Sequence, residues 1–235
     1  MYLTQIVQPD IVLYGLRIQE PVIVLTNFMV SIVCFYAYNS LGKSNDRATQ
    51  LMRSYFLVFG ISTIVGGLLG HAFIYALGFS WKLAGWFLAM FSIFILEFAA
   101  LEHAKPYLST KTIRAISAIH YMEMAIAIVL TSYFLDFNFV QIHTVYGVML
   151  VFLPLHIMIY RKTKALASKY MIYAVLVLSS TLIVYTVPIV IHTYFNHGDL
   201  AHVIISVSIL LMLKGTALYL DKVLTQSPSL QKEGL

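Results

Sequence analysis

The sequence predicts an all-α polytopic membrane protein, a single bundle of seven transmembrane helices. Two observations carry that prediction. Of 235 residues, 60% are hydrophobic and only 11% charged, with a mean hydropathy of +0.84, whereas a soluble domain carries about 25% charged residues. The apolar residues also fall in runs of roughly twenty, the length that crosses about 30 Å of hydrocarbon as a helix.

Seven such runs follow one another between short polar breaks: Pro21–Asn39, Ser54–Gly78, Leu83–Ala104, Ile113–Leu135, Phe139–Tyr160, Tyr170–Phe195 and Leu200–Leu220. Residues 221–235 form a polar tail for which no packing is expected. Trp81 and Trp86 open the third run, where interfacial aromatics belong. Pro106, Pro154 and Pro188 end or kink helices, because proline lacks the backbone donor. Orientation follows from the basic residues. Lys43, Arg47, Arg53, Lys105, Lys111, Arg114, Arg161, Lys162, Lys164, Lys169, Lys222 and Lys232 all fall on one side, against Arg17 and Lys82 on the other. The positive-inside rule then places the N-terminus outside and the C-terminus in the cytoplasm.

The same pattern explains the basic balance, a pI near 9.2. These charges line alternate loops beside an anionic leaflet, so membrane lipid and not nucleic acid is the expected partner. Cys34, the lone cysteine, lies inside the first run, which excludes an internal disulfide and a cysteine-rich metal site. The first twenty residues lack a basic start and a small-residue cleavage site, so the first helix is expected to be retained.

Polar residues inside the runs sort into two layers by depth. The outer layer holds Glu20, Thr26, Asn27, His71, His143, His192, His197, Asp199 and His202, and the inner one Glu97, Glu102, His103, His120, Glu123 and His156. Ionisable groups in a bilayer cost a few kcal/mol each, so they turn inward and find partners. Asp199 and His202 are three apart and share a helix face, and His71 lies at similar depth. Imidazole and carboxylate are zinc ligands, and a catalytic zinc keeps one position open for water. The expected metal site is therefore His71, His202 and Asp199, with His197 in reserve. His197 and His202 are five apart and point about 140° apart on a continuous helix, so they share an ion only if Gly198 breaks it. Asp199 is equally suited to an N-cap, and the run Gly66-Gly67-Leu68-Leu69-Gly70 before His71 is equally suited to close helix packing. For the inner layer a buried hydrogen-bonded cluster fixing helix packing comes first, with a proton path or axial haem ligation as the other readings. Lys214 invites comparison with rhodopsins, but Leu210 stands where microbial rhodopsins carry an Asp.

Three stretches resemble the alkaline ceramidases and their relatives in the CREST superfamily, which includes the progestin and adiponectin receptor family. Glu20 followed by Thr26-Asn27 is similar to the acidic residue and Ser-Asn pair that open the ceramidase first helix. Gly66-Gly67-Leu68-Leu69-Gly70-His71 resembles that family's Gly-rich run before a zinc-binding His, and His202 resembles the second His of its helix-seven pair. Gly67, Gly198 and Lys82 depart from the pattern at the family's Ser, first His and Asp. The resemblance implies a zinc-dependent hydrolase of a lipid amide or ester. His143 or His192 would act as the base, with Glu20, Thr26 and Asn27 lining the pocket. A non-enzymatic binding or sensor protein with an outer polar pocket is the alternative, and haem or proton-linked redox or transport the third reading.

Overall fold

The computed structural model describes residues 8–187 and 189–226. Among them seven helices are long and apolar enough to cross a membrane. They are α1 (Pro21–Ser40), α2 (Arg47–Ala72), α3 (Phe79–Tyr107), α4 (Thr110–Phe134), α5 (Phe137–Thr163), α6 (Leu166–Thr186) and α7, which spans His197–Asp221 and continues as helix to Gln226. The chain is an all-α seven-helix bundle, as its composition predicts.

Helix ends differ from the hydropathy runs where local chemistry intervenes. Polar first turns are held by caps that hydropathy does not register. Asp46 accepts from Thr49 N at 2.7 Å and starts α2 at Arg47, and Ser109 and Asp136 do the same for α4 and α5. The sixth run was expected to reach Phe195, but α6 stops at Thr186. Val187 is extended, as a residue before proline must be, and an isolated bridge pairs His192 with Phe195 beyond it. Pro188 and the tail from Ser227 lie outside the described residues. Pro154 has no N–H for the Leu150 carbonyl, and α5 widens into a π-helical segment over Tyr146–Phe152 just before it. A short antiparallel hairpin that hydropathy misses, β1 (Ile11–Leu13) and β2 (Leu16–Ile18), precedes α1. Tyr14 and Gly15 both take positive φ in its two-residue turn.

Six of the helices close a ring in which α1 lies between α7 and α2, α3 follows α2, and α5 and α6 complete the circuit to α7. Their inward faces make one apolar core that includes Val30, Phe56, Leu96, Phe152, Met171 and Ile209. α4 stands outside the ring and packs chiefly on α3 and α5. Only 17% of its apolar window is buried, against 33–50% for the others, so its position rests on few contacts. The buried residues of α4 are His120, Ala127 and Thr131.

The tightest crossing is α2 on α3. A Cβ on Gly85 would lie 2.8 Å from the Gly66 Cα, so the two backbones touch through glycine, whereas a Cβ on Gly66 itself meets nothing within 4 Å. Gly85→Ala is therefore expected to destabilise the bundle by about 1–3 kcal/mol, and Gly66→Ala to be tolerated. Thermal unfolding of both variants in detergent checks the difference.

Candidate metal centre

Apolar helices forced to carry ionisable groups place them where partners exist, and in this chain that place is the seam between α3, α4 and α5. Glu97 projects from α3, His120 and Glu123 from one face of α4 at i and i+3, and His143 from the first turns of α5. Glu97, His120 and His143 are completely buried, and the Glu123 side chain keeps 20% exposure. One donor atom from each of Glu97, Glu123 and His143 lies within 4.8 Å of the other two, the one group of three or more metal-capable side chains among the described residues. Glycine makes room for it. A Cβ on Gly147 would collide with Ile93 and come within 2.6 Å of Glu97 Oε1, so the carboxylate occupies the notch that Gly147 leaves in α5.

The protons can be placed. His143 Nε2 lies 3.0 Å from the Met90 carbonyl, which has no proton, so Nε2–H donates. Nδ1 then faces Glu123 Oε2 at 2.7 Å. A bare nitrogen and a carboxylate cannot share that distance without a cation between them, either a proton or a metal ion. A histidine whose second ring N–H is fixed by a backbone carbonyl is how metal-ligating imidazoles are commonly oriented. Beside it, Glu97 and His120 approach to 3.4 Å. Neither Glu97 oxygen and neither His120 ring nitrogen makes a hydrogen bond among the described residues. Four buried polar atoms that make no hydrogen bond, two of them facing each other across that 3.4 Å, are costly in a protein interior and suit a group that a ligand completes. The rings of Phe98 and Tyr146 pack edge-on against His120 and keep it in place.

The residues expected to form an outer metal site do other things. Asn196 Oδ1 accepts from Gly198 N at 2.8 Å, and Asp199 Oδ2 accepts from Asn196 N at 2.8 Å, a reciprocal capping box that starts α7 at His197. Asp199 also accepts from Gln8 Nε2 at 2.7 Å and from Thr26 Oγ1 at 3.2 Å. His202 Nδ1 is 2.8 Å from the same hydroxyl. Thr26 has one proton, which faces both the Ile23 carbonyl at 3.1 Å and Asp199 Oδ1 at 3.2 Å, so His202 Nδ1–H is the donor to the Thr26 hydroxyl. Asn27 donates to the Ile23 carbonyl at 2.9 Å and packs against Gly67. His71 lies in a π-helical segment, Leu68–Ala72, and its Nδ1 meets Glu20 Oε2 at 2.6 Å. His71, His202 and Asp199 thus do not converge as one ligand set. Gly198 continues the helix, so His197 and His202 diverge, and the His197 ring packs edge-on against Tyr185. His192 is exposed in the loop before α7, where its Nδ1 accepts from Tyr194 N. Of the two expected bases, only His143 reaches a cluster of ionisable groups, and it does so beside the inner-layer residues.

A family model described as a family of unknown function, DUF6962, matches residues 22–221. The chain belongs to that family. No curated protein and no solved structure matches it. The DUF6962 match overturns the resemblance to the alkaline ceramidases and the progestin and adiponectin receptors. The stretches that suggested it lie at helix ends, where capping, close approach and interfacial histidines recur for structural reasons. In this DUF6962 chain, Gly67 is a seat for Asn27 and Asp199 a cap. Two further inner-layer residues, His156 and His103, meet edge-on near Tyr219, whose hydroxyl donates to Asp46 at 3.2 Å. They form a separate cluster at the basic end. Depth along the helices groups Glu97, His120 and Glu123 in the inner layer, where a buried cluster is expected; the arrival of His143, which depth assigns to the outer layer, had no sequence signal.

At the opposite end the Glu20–His71 pair ties the start of α1 to the end of α2. Burial raises the Glu20 pKa, but the hydrogen bond and charge of His71, with Lys82 nearby, outweigh it and hold the carboxyl below its ordinary value. A depressed folded-state pKa stabilises above the ordinary carboxylate range, and that contribution is lost as pH falls through the folded value. Both side chains are partly exposed, so the effect is about 1 kcal/mol or less. His71→Gln is expected to flatten the acid limb of a melting-temperature profile measured from pH 7 to pH 3.

Proposed function

We propose that this protein is an integral-membrane metalloprotein that holds one divalent cation, zinc in first place, between Glu97, Glu123 and His143. The observation that carries the reading is the convergence of the Glu97 and Glu123 carboxylates and the His143 imidazole from α3, α4 and α5, with Glu97 and the adjacent His120 making no hydrogen bond among the described residues. The donor set fits the ion: one imidazole nitrogen and two carboxylate oxygens are ordinary zinc ligands at about 2.0–2.2 Å, and iron or manganese accept the same set. A second shell is already built in the Met90 carbonyl behind His143.

The reading extends to metal-dependent hydrolysis of a lipid ester or amide. A three-ligand zinc leaves a position for water and lowers its pKa to about 7. His120, buried beside Glu97 with neither ring nitrogen hydrogen-bonded among the described residues, is the base that would take the proton. At this depth a substrate arrives from the bilayer, and Glu123 is the member of the group with an exposed edge. The same separation of 3.4 Å between His120 and Glu97 favours a second reading. There His120 is the fourth ligand, the site is closed, and the protein binds or senses the ion without catalysis.

Elemental analysis of detergent-purified protein tests both. Near-stoichiometric metal is expected in the wild type, with affinity reduced at least about tenfold in Glu97→Gln and His143→Gln. His71→Gln is expected to retain the ion. His120→Ala separates the readings: it keeps the metal and loses turnover of lipid esters or amides if His120 is a base, and loses the metal if His120 is a ligand. A wild type that holds no metal after purification with added zinc would remove the proposal.

A further inference from the structure

α4 packs on α3 and α5 and is the least buried of the seven helices, and a groove of about 350 Å³ opens between α3 and α4, with Arg47 and Leu51 of α2 beside it. Its walls are aromatic and aliphatic, with Phe94 and Phe98 from α3 and Tyr121 from α4, their rings packed on one another at 5.3 and 5.5 Å. Ser117 leaves the opposite wall shallow. Along α3 the lining runs from Phe91 to Glu102, which at 1.5 Å per residue is about 16 Å. That is close to half of the roughly 30 Å hydrocarbon core, the depth of one leaflet.

The basic end of the groove is where the charge lies. Arg47, at the first turn of α2, lines it and is exposed, and no carboxylate lies within ion-pair distance of it among the described residues. Of the acidic groups near that mouth, Glu102 is held by Lys105 at 2.8 Å and Asp46 caps α2 through Thr49 N. The mouth thus keeps an unengaged guanidinium among the described residues, whose planar fork suits phosphate. It opens at the lysine- and arginine-rich end, which the positive-inside rule assigns to the leaflet that carries anionic lipid.

We propose that this groove is a binding site for an anionic glycerophospholipid of that leaflet, with one acyl chain between α3 and α4 and its phosphate on Arg47. A chain one leaflet deep fills the groove, and the charge at its mouth selects the headgroup. The site is separate from the Glu97–Glu123–His143 centre, from which Phe98 and the buried His120 divide it, and it stands whether or not that centre binds metal.

Native mass spectrometry of the full chain, released from detergent containing equal amounts of dioleoylphosphatidylglycerol and dioleoylphosphatidylcholine, tests the proposal. The wild type is expected to retain the anionic lipid over the zwitterionic one by about fivefold, the worth of one basic residue near an anionic headgroup. Arg47→Gln should retain both equally. Ser117→Phe, which fills the groove without removing a buried side chain, should retain neither. Arg53→Gln, at the same end but stacked on Tyr38 and outside the groove, should keep the wild-type preference. Equal retention by the wild type, a preference that survives Arg47→Gln, or undiminished lipid in a folded Ser117→Phe would each overturn it. Zinc measured on the same samples keeps the two proposals apart, since the lipid variants are expected to hold as much metal as the wild type.

Discussion

The docking of α4 depends on an electrostatic constraint. An ionisable side chain in the interior of a bilayer protein must find a counter-charge, a proton or a metal ion, and Glu97, His120, Glu123 and His143 find one another across three helices. α4 has little apolar surface in the core, so these residues, with the small apolar contact of Met90, Ala127 and Val140, hold it to the bundle. Polar groups thereby do in this region what close apolar packing does for the other six helices. The groove between α3 and α4 goes with the same sparse packing, since α4 is the least buried of the seven helices.

Two π-helical segments accompany the polar clusters. One contains His71, which it brings onto Glu20, and the other begins just after His143 and carries Gly147, the notch in which Glu97 is received. A π turn inserts one residue and so rotates everything before it relative to everything after. In α5 this lets His143 face Glu123 while Pro154 and His156 keep their places in the inner half of the same span. The hairpin before α1 and the strained Glu20, with φ of 45°, serve the other end, where Gln19 N donates to the Ala72 carbonyl at 3.1 Å and closes the first turn of α1 against the last turn of α2.

The outer end shows how one set of residues can suggest chemistry and be occupied with structure. Asp199, Thr26, His202 and Gln8 form a closed hydrogen-bond network in which every carboxylate oxygen has a donor. A capping box and a chain of neutral hydrogen bonds satisfy the same residue types that a metal site requires. At the seam between α3, α4 and α5, by contrast, four buried polar atoms gather on the neighbouring Glu97 and His120 with no hydrogen bond among the described residues.

The sequence by itself determined the membrane-spanning class, the number of helices and their approximate spans, because hydropathy over twenty residues is a property of the chain and not of its partners. It determined the end of the molecule at which the basic residues gather. Helix boundaries were not legible from hydropathy alone, because Asp46, Ser109 and Asn196 cap polar first turns that hydropathy does not register. Depth along each helix was legible, but depth is one coordinate of three. Which histidine meets which carboxylate depends on the rotation of each helix about its axis and on which helices are neighbours. Those were fixed by the Gly66–Gly85 contact, the Gly147 notch and the π turns, which act between segments far apart in the chain. Only the tertiary structure could therefore move His143 from the outer layer to Glu97 and Glu123, and leave His71 and Asp199 to hold helix ends.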